Sequence, residues 1–277
     1  MSIFWTRIRQ KSAVAGLSIL LFSALASGQQ MVAIEPNCEK AEGMPFEFCS
    51  GKDFGSESLS EVAEPKAWTE TDKKKFLRHL LPLVQSNRLP GFFRRIEANG
   101  FTRFYRYQYG FNQRNGQPIR VATAMMMVNS TAKMIIVTDR YINYTLKDPI
   151  GNFDRADLTM LHELAHAFDG PSTYSKSYDF IRLTGFVQTQ SGWELPGTAN
   201  LKAPFIKFQE MLEKNNLEGA FHLSRTTSAE IGLSSFAVLA NPQEYFAETA
   251  ATIYFDPNSQ AYLKPEVVTW FTKHVLN

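Results

Sequence analysis

The chain has 277 residues, 44% hydrophobic and 20% charged, with 16 Gly and 13 Pro. That balance is globular and excludes a disordered, collagen-like or coiled-coil chain. The formal charge of +2 misleads, because residues 1–28 carry Arg7, Arg9 and Lys11 and no acid; removing those three of 29 basic residues leaves 26 against 27 acidic, a net −1. A near-neutral surface without a basic run gives no electrostatic case for nucleic acid as a partner.

In chain order, residues 1–26 read as a signal peptide. Arg7, Arg9 and Lys11 form its positive end, and Ala13 to Ala26 is apolar but too short and too rich in Ser and Ala for a comfortable membrane span. Ala24-Leu25-Ala26 supplies the small residues of a cleavage site. No later stretch is long and apolar enough to cross a bilayer, so the mature chain is expected to be exported, periplasmic or secreted, without further membrane attachment. Residues 27–68 read as a loop-rich N-terminal extension punctuated by Pro36, Gly43, Pro45, Gly51, Gly55 and Pro65. It holds the only two cysteines, Cys38 and Cys49, which an oxidising compartment would join.

Residues 69–277 are long enough for one main domain with a single core. A helix is expected over Thr71 to Gln85, with Phe76, Leu77, Leu80, Leu81, Leu83 and Val84 on its apolar side, and a short one over 91–98. Val121 to Val128 and Ala132 to Thr138 are β-rich and flank Asn129-Ser130-Thr131, which suggests a hairpin. Helices follow over Arg155 to Phe168, Pro204 to Lys214, Pro242 to Tyr254 and Pro265 to Val275, with a long loop over 170–200. The expected class is α+β: a small mixed sheet packed on one central helix, then a mostly helical C-terminal half.

That central helix carries His162-Glu163-Leu164-Ala165-His166. At about 100° per residue, His162 and His166 lie on one face one turn apart, a spacing at which two imidazoles can hold one Zn²⁺. Glu163 points about 100° away, too far to share their direction but near enough to reach a metal-bound water. Leu158, Leu161, Ala165 and Phe168 form an apolar stripe that would anchor the helix in the core. An open zinc site needs a third protein ligand. The metzincin continuation would require Gly at 169 and His at 172, where this chain has Asp169 and Ser172.

The better source is Asn241-Pro242-Gln243-Glu244-Tyr245-Phe246-Ala247-Glu248. Asn241 is a good N-cap and Pro242 a good first helical residue, so Glu244 and Glu248 fall one turn apart. Glu244 is the expected third ligand, although Asn241-x-x-Glu244 also matches a capping box in which that Glu only satisfies a backbone N–H. Glu248 is expected to support a metal-bound imidazole, that of His162. Asp169 is the runner-up ligand and is better suited to a supporting or capping role.

These two segments resemble the gluzincin-type zinc metallopeptidases, in which a Glu on a later helix completes the His-Glu-x-x-His site. Glu244-Tyr245-Phe246-Ala247-Glu248 is similar to the Glu-Phe-Phe-Ala-Glu element of the anthrax lethal factor family, and to the peptidase family related to the bacterial glucose-transport regulator. The resemblance covers about 20 residues. It implies His162, His166 and Glu244 as zinc ligands and Glu163 as catalytic base. Two features depart from the pattern. Glu244 follows His166 by 78 residues (244 minus 166), and the position seven before it, a Tyr in the lethal factor family, is Ala237, beside Phe236.

The expected function is hydrolysis of peptide bonds in a protein or peptide substrate by a zinc-activated water. Tyr141, Tyr144, Tyr174, Tyr178, Tyr254 and His222 could supply an oxyanion donor, none singled out by spacing. Two other readings share these residues: an inactive peptidase fold serving as a binding or scaffold protein, and a zinc amidase acting on cell-wall peptides.

Overall fold

Met134-Ile135-Ile136-Val137 is apolar at every position, the mark of a strand covered on both faces. In the computed structural model it lies inside a sheet. The structure describes residues 38–53, 57–114, 117–121, 124–145, 147, 153–171, 173–228 and 233–276, so the signal reading of residues 1–26 falls outside the described residues.

The first strands are β1 (Cys38–Lys40), β2 (Glu47–Ser50) and β3 (Arg103–Tyr107), with helices α1 (Glu57–Ala63), α2 (Glu70–Val84) and α3 (Phe92–Ala98) between β2 and β3. A separate hairpin of β4 (Gly110–Arg114) and β5 (Gln117–Val121) precedes β6 (Met126–Asn129) and β7 (Met134–Thr138). The main sheet runs β1-β2-β3-β7-β6. The β2/β3 and β3/β7 pairs are parallel, and both outer pairs antiparallel.

The N-terminal stretch, read as loop, therefore supplies two strands of the sheet. Cys38 lies opposite Cys49 across the β1/β2 pair, and the two form a disulfide. A hairpin is present over 126–138, its first strand shorter than the expected Val121–Val128 because Val121 ends β5, with β6 as the edge strand and β7 interior. Alternation sorts β3 and β7 between two faces. Phe104, Ile135 and Val137 join the main core, whereas Tyr105, Tyr107, Met134 and Ile136 pack with Leu59 and Ala63 of α1 on the other side.

The remaining elements are helical except for one small hairpin. They are α4 (Asp139–Ile142), α5 (Arg155–Asp169), α6 (Tyr178–Thr184), the hairpin of β8 (Val187–Thr189) and β9 (Gly192–Glu194), α7 (Lys202–Glu213), α8 (Leu217–Thr226), α9 (Ser235–Ala240), α10 (Pro242–Phe255) and α11 (Pro265–Phe271). The expected long loop over 170–200 thus contains α6 and the β8–β9 hairpin. The class is α+β, with a helical C-terminal half.

Two helices matter most. Asp154 caps α5, accepting from the Ala156 N–H. At its other end Asn99 donates to Ala167 O and Phe168 O, satisfying two carbonyls that the helix leaves open. Gly170 allows this. Its φ is +58°, and a Cβ there would come within 2.8 Å of Asn99 Nδ2. Helix α10 lies against α5 in the core, Phe246 near Phe168 at 6.4 Å between ring centroids. Every residue from Pro242 to Ile253 is buried.

Candidate metal centre

Because α5 is buried along Leu158, Leu161, Leu164, Ala165 and Phe168, its other face is fixed in place. That face presents His162 and His166, whose Nε2 atoms lie 3.1 Å apart. Helix α10 brings the third group. Asn241 caps it with Oδ1, which accepts from the N–H groups of Gln243 and Glu244, and Pro242 takes the first turn. The Glu244 side chain is thereby released from capping and points across to α5. Its Oε2 lies 3.1 Å from His162 Nε2 and 3.4 Å from His166 Nε2.

Two imidazole nitrogens and one carboxylate oxygen thus converge on one point from two helices. Their spacing can be tested against a metal. Ligand atoms 2.0–2.1 Å from a tetrahedral zinc ion sit about 3.3–3.4 Å from one another. The mutual distances of 3.1, 3.1 and 3.4 Å fall close to that edge length. The residues fit a metal ion bound by two nitrogens and one oxygen.

Electrostatics within the trio follow from its geometry. Burial alone would raise the Glu244 carboxyl, but His166 and the hydrogen bonds of both imidazoles hold it well below the usual carboxylate range. Burial would lower the His166 imidazolium, yet Glu244, Glu163 and Asp169 outweigh it and push it up to about 9. Without an ion, a proton on His166 does part of the charge balancing. Glu163 is raised by burial, against the opposing pull of His162 and His166. Its carboxylate accepts a hydrogen bond from the backbone N–H of Val128 in β6, which ties the edge strand to α5.

One supporting role needs correction. Glu248 does not serve His162. Its carboxylate accepts from Arg225 Nη1 at 3.0 Å and from the N–H of Ser234 at 2.5 Å, and also takes the Ser234 hydroxyl. A buried guanidinium outcompetes a neutral imidazole for that carboxylate, because the pair neutralises both buried charges. Asp169 takes the capping role favoured for it over that of a ligand. Its carboxylate accepts from the Tyr174 and Ser175 N–H groups and from Ser175 Oγ, capping the turn that follows α5. It lines the cavity and acts on the site through its field at His166.

The trio opens on a cavity of about 290 Å³. The strand side is Met125, Met126 and Val128, and the opposite wall comes from α7, α8 and α9. None of the six residues weighed as oxyanion donors lines it. Tyr141 is buried with its hydroxyl on Ala156 O, Tyr174 stacks on Phe168, Tyr178 is exposed, and Tyr254 lies beneath Arg88. Tyr144 meets Phe221 edge-on, and His222 is exposed. Phe236, the neighbour of Ala237, does line the cavity.

Sequence reasoning missed Asn99, Arg225, Ser234 and the Val128 N–H, each of which reaches its partner from a distant element. The apolar spacing of Phe205, Phe208 and Leu212 on α7 was readable but carried no sign of what it faced. No protein-family model, curated protein or solved structure matches the chain.

Proposed function

We propose that the protein is an exported zinc-dependent metallopeptidase of the gluzincin type. The observation that carries this is the convergence of His162 Nε2, His166 Nε2 and Glu244 Oε2 at tetrahedral spacing, with the Glu163 carboxylate beside them. His162, His166 and Glu244 would hold Zn²⁺. When bound, the ion supplies Lewis acidity and brings the pKa of its water to about 7.

Glu163 would hold the proton released as a water attacks a peptide carbonyl and would pass it to the departing amine. Burial favours the protonated form of Glu163, so the carboxyl readily holds the proton between the two transfers. The Val128 N–H keeps the carboxylate beside the trio. An extended substrate can pair with β6, which forms an edge of the sheet. The cysteine pair joined as a disulfide supports an oxidising compartment, in keeping with the signal-like residues 1–26. No described helix is long and apolar enough to cross a membrane.

The test is Glu163→Gln. Zinc content should stay at the parent level while cleavage of casein or a peptide library falls by about 10²–10⁴-fold. A variant that cleaves like the parent removes Glu163 from the mechanism and the peptidase reading with it.

A further inference from the structure

The wall opposite β6 is built from rings. Phe205 and Phe208 of α7, Phe221 of α8 and Phe236 of α9 form a chain with centroid separations of 6.0–6.4 Å. Leu212 continues the same stripe of α7, and Met125 and Met126 face it across the cavity. Phe205 and Leu212 are only half-buried, so α7 spends its apolar face on the cavity rather than on the core. An unfilled apolar face beside a metal centre is costly unless a ligand covers it.

The charges on the walls narrow the ligand. The described lining residues include four carboxylates, of Glu163, Glu244, Glu248 and Asp169. Glu244 lies on the histidines, Glu163 stands beside them, Glu248 is engaged by Arg225 and Ser234, and Asp169 by Ser175 and Tyr174. A basic side chain entering the cavity would find no uncommitted carboxylate among them, and burying its charge would be unfavourable. Arg155, which also lines the cavity, is laid over the Phe221 ring at 4.6 Å, which places its charge on an aromatic face. The volume suits one large side chain with its flanking backbone, since pockets for drug-sized ligands begin near 300 Å³.

We infer that Phe205, Phe208, Leu212, Phe221 and Phe236 form a specificity pocket that takes one large uncharged apolar side chain next to the bond being cut. This rests on the peptidase reading above and adds the substrate class. Phe236 then serves selection of the substrate side chain.

The experiment uses the zinc-loaded full chain in two arms. In the first, cleavage sites in a peptide library are read by mass spectrometry. Phe, Leu and Met should be enriched about tenfold or more at one position beside the cut, and Lys, Arg, Asp and Glu depleted there. In the second, binding of hydroxamates carrying benzyl, isobutyl, aminobutyl or carboxyethyl groups is measured by calorimetry. The first two should bind about tenfold or more tighter than the last two. Leu212→Trp, on a half-buried helix position, should weaken the benzyl compound about tenfold and leave zinc content and acetohydroxamate binding unchanged.

Cleavage with no preference, or with a charged residue selected, overturns the pocket and leaves the peptidase reading intact. The expected hydroxamate order without cleavage of any peptide supports the pocket and overturns the peptidase reading. A parent protein that takes up no zinc overturns both.

Discussion

Helix α5 carries two clusters of similar composition. Near its middle, His162 and His166 meet Glu244; at its start, Asp154 and Asp157 meet His79 of α2. Only the first suits a metal, and the difference lies in the protons. Arg78 Nη2 lies 3.1 Å from His79 Nε2 and can only donate, so Nε2 accepts and Nδ1 carries the hydrogen. That hydrogen goes to Asp157 Oδ1 at 2.5 Å, and Asp154 is committed to capping α5. The outer cluster is a tie between two helices. In the inner one, the hydrogens shared between the two imidazoles and Glu244 are exchangeable ring protons that a cation can displace. A group of His and carboxylate side chains is a metal site only where its lone pairs converge.

The largest effect expected from this contrast is on metal affinity. His166→Ala should lower zinc affinity by more than 100-fold, beyond the 10–100-fold cost of losing a supporting hydrogen bond, as read by chelator competition. Comparable zinc uptake by that variant would break the contrast. Replacing Cys38 and Cys49 together by Ser should cost about 2–4 kcal/mol in chemical denaturation and leave zinc affinity alone, since β1 and β6 are opposite edges of the sheet. His79→Ala should cost about 1–3 kcal/mol of stability with zinc content unchanged. A fall in zinc stoichiometry there would mean that the outer cluster also binds metal.

The smallest effect concerns pH. His166 is raised from 6.5 to about 9 in the ion-free protein, so its contribution to stability is full below pH 6.5 and is lost as pH rises to about 9. The Glu244 contribution is present above 4.5 and is lost only in acid. Zinc must displace the His166 proton, so its binding strengthens over the same rise. Thermal midpoints measured with and without zinc should therefore diverge between pH 6.5 and 9. Parallel curves would show that no proton is exchanged.

How much of this was legible depends on reach. The His162, Glu163 and His166 arrangement needs only a helical period, and Glu244 needs only a cap two residues before a Gln and a helix after it. Both are local, and the structure brings His162, His166 and Glu244 together. Glu248 was misjudged because periodicity gives the face of a helix and not its neighbour. The neighbour is Arg225, buried on α8. Strands β1 and β2 escaped notice because three or four residues of mixed polarity carry no period; pairing with β3 makes them strands. The aromatic wall was unreadable as a wall, since Phe205, Phe221 and Phe236 come together only through tertiary packing.

The separation of the two contributing helices also sets an order of events during biosynthesis. A growing polypeptide that ends before residue 244 owns two imidazoles and no partnering oxygen, and so grips a cation weakly. On the metallopeptidase reading proposed above, a cation would be held by all three side chains only once α10 has docked on α5.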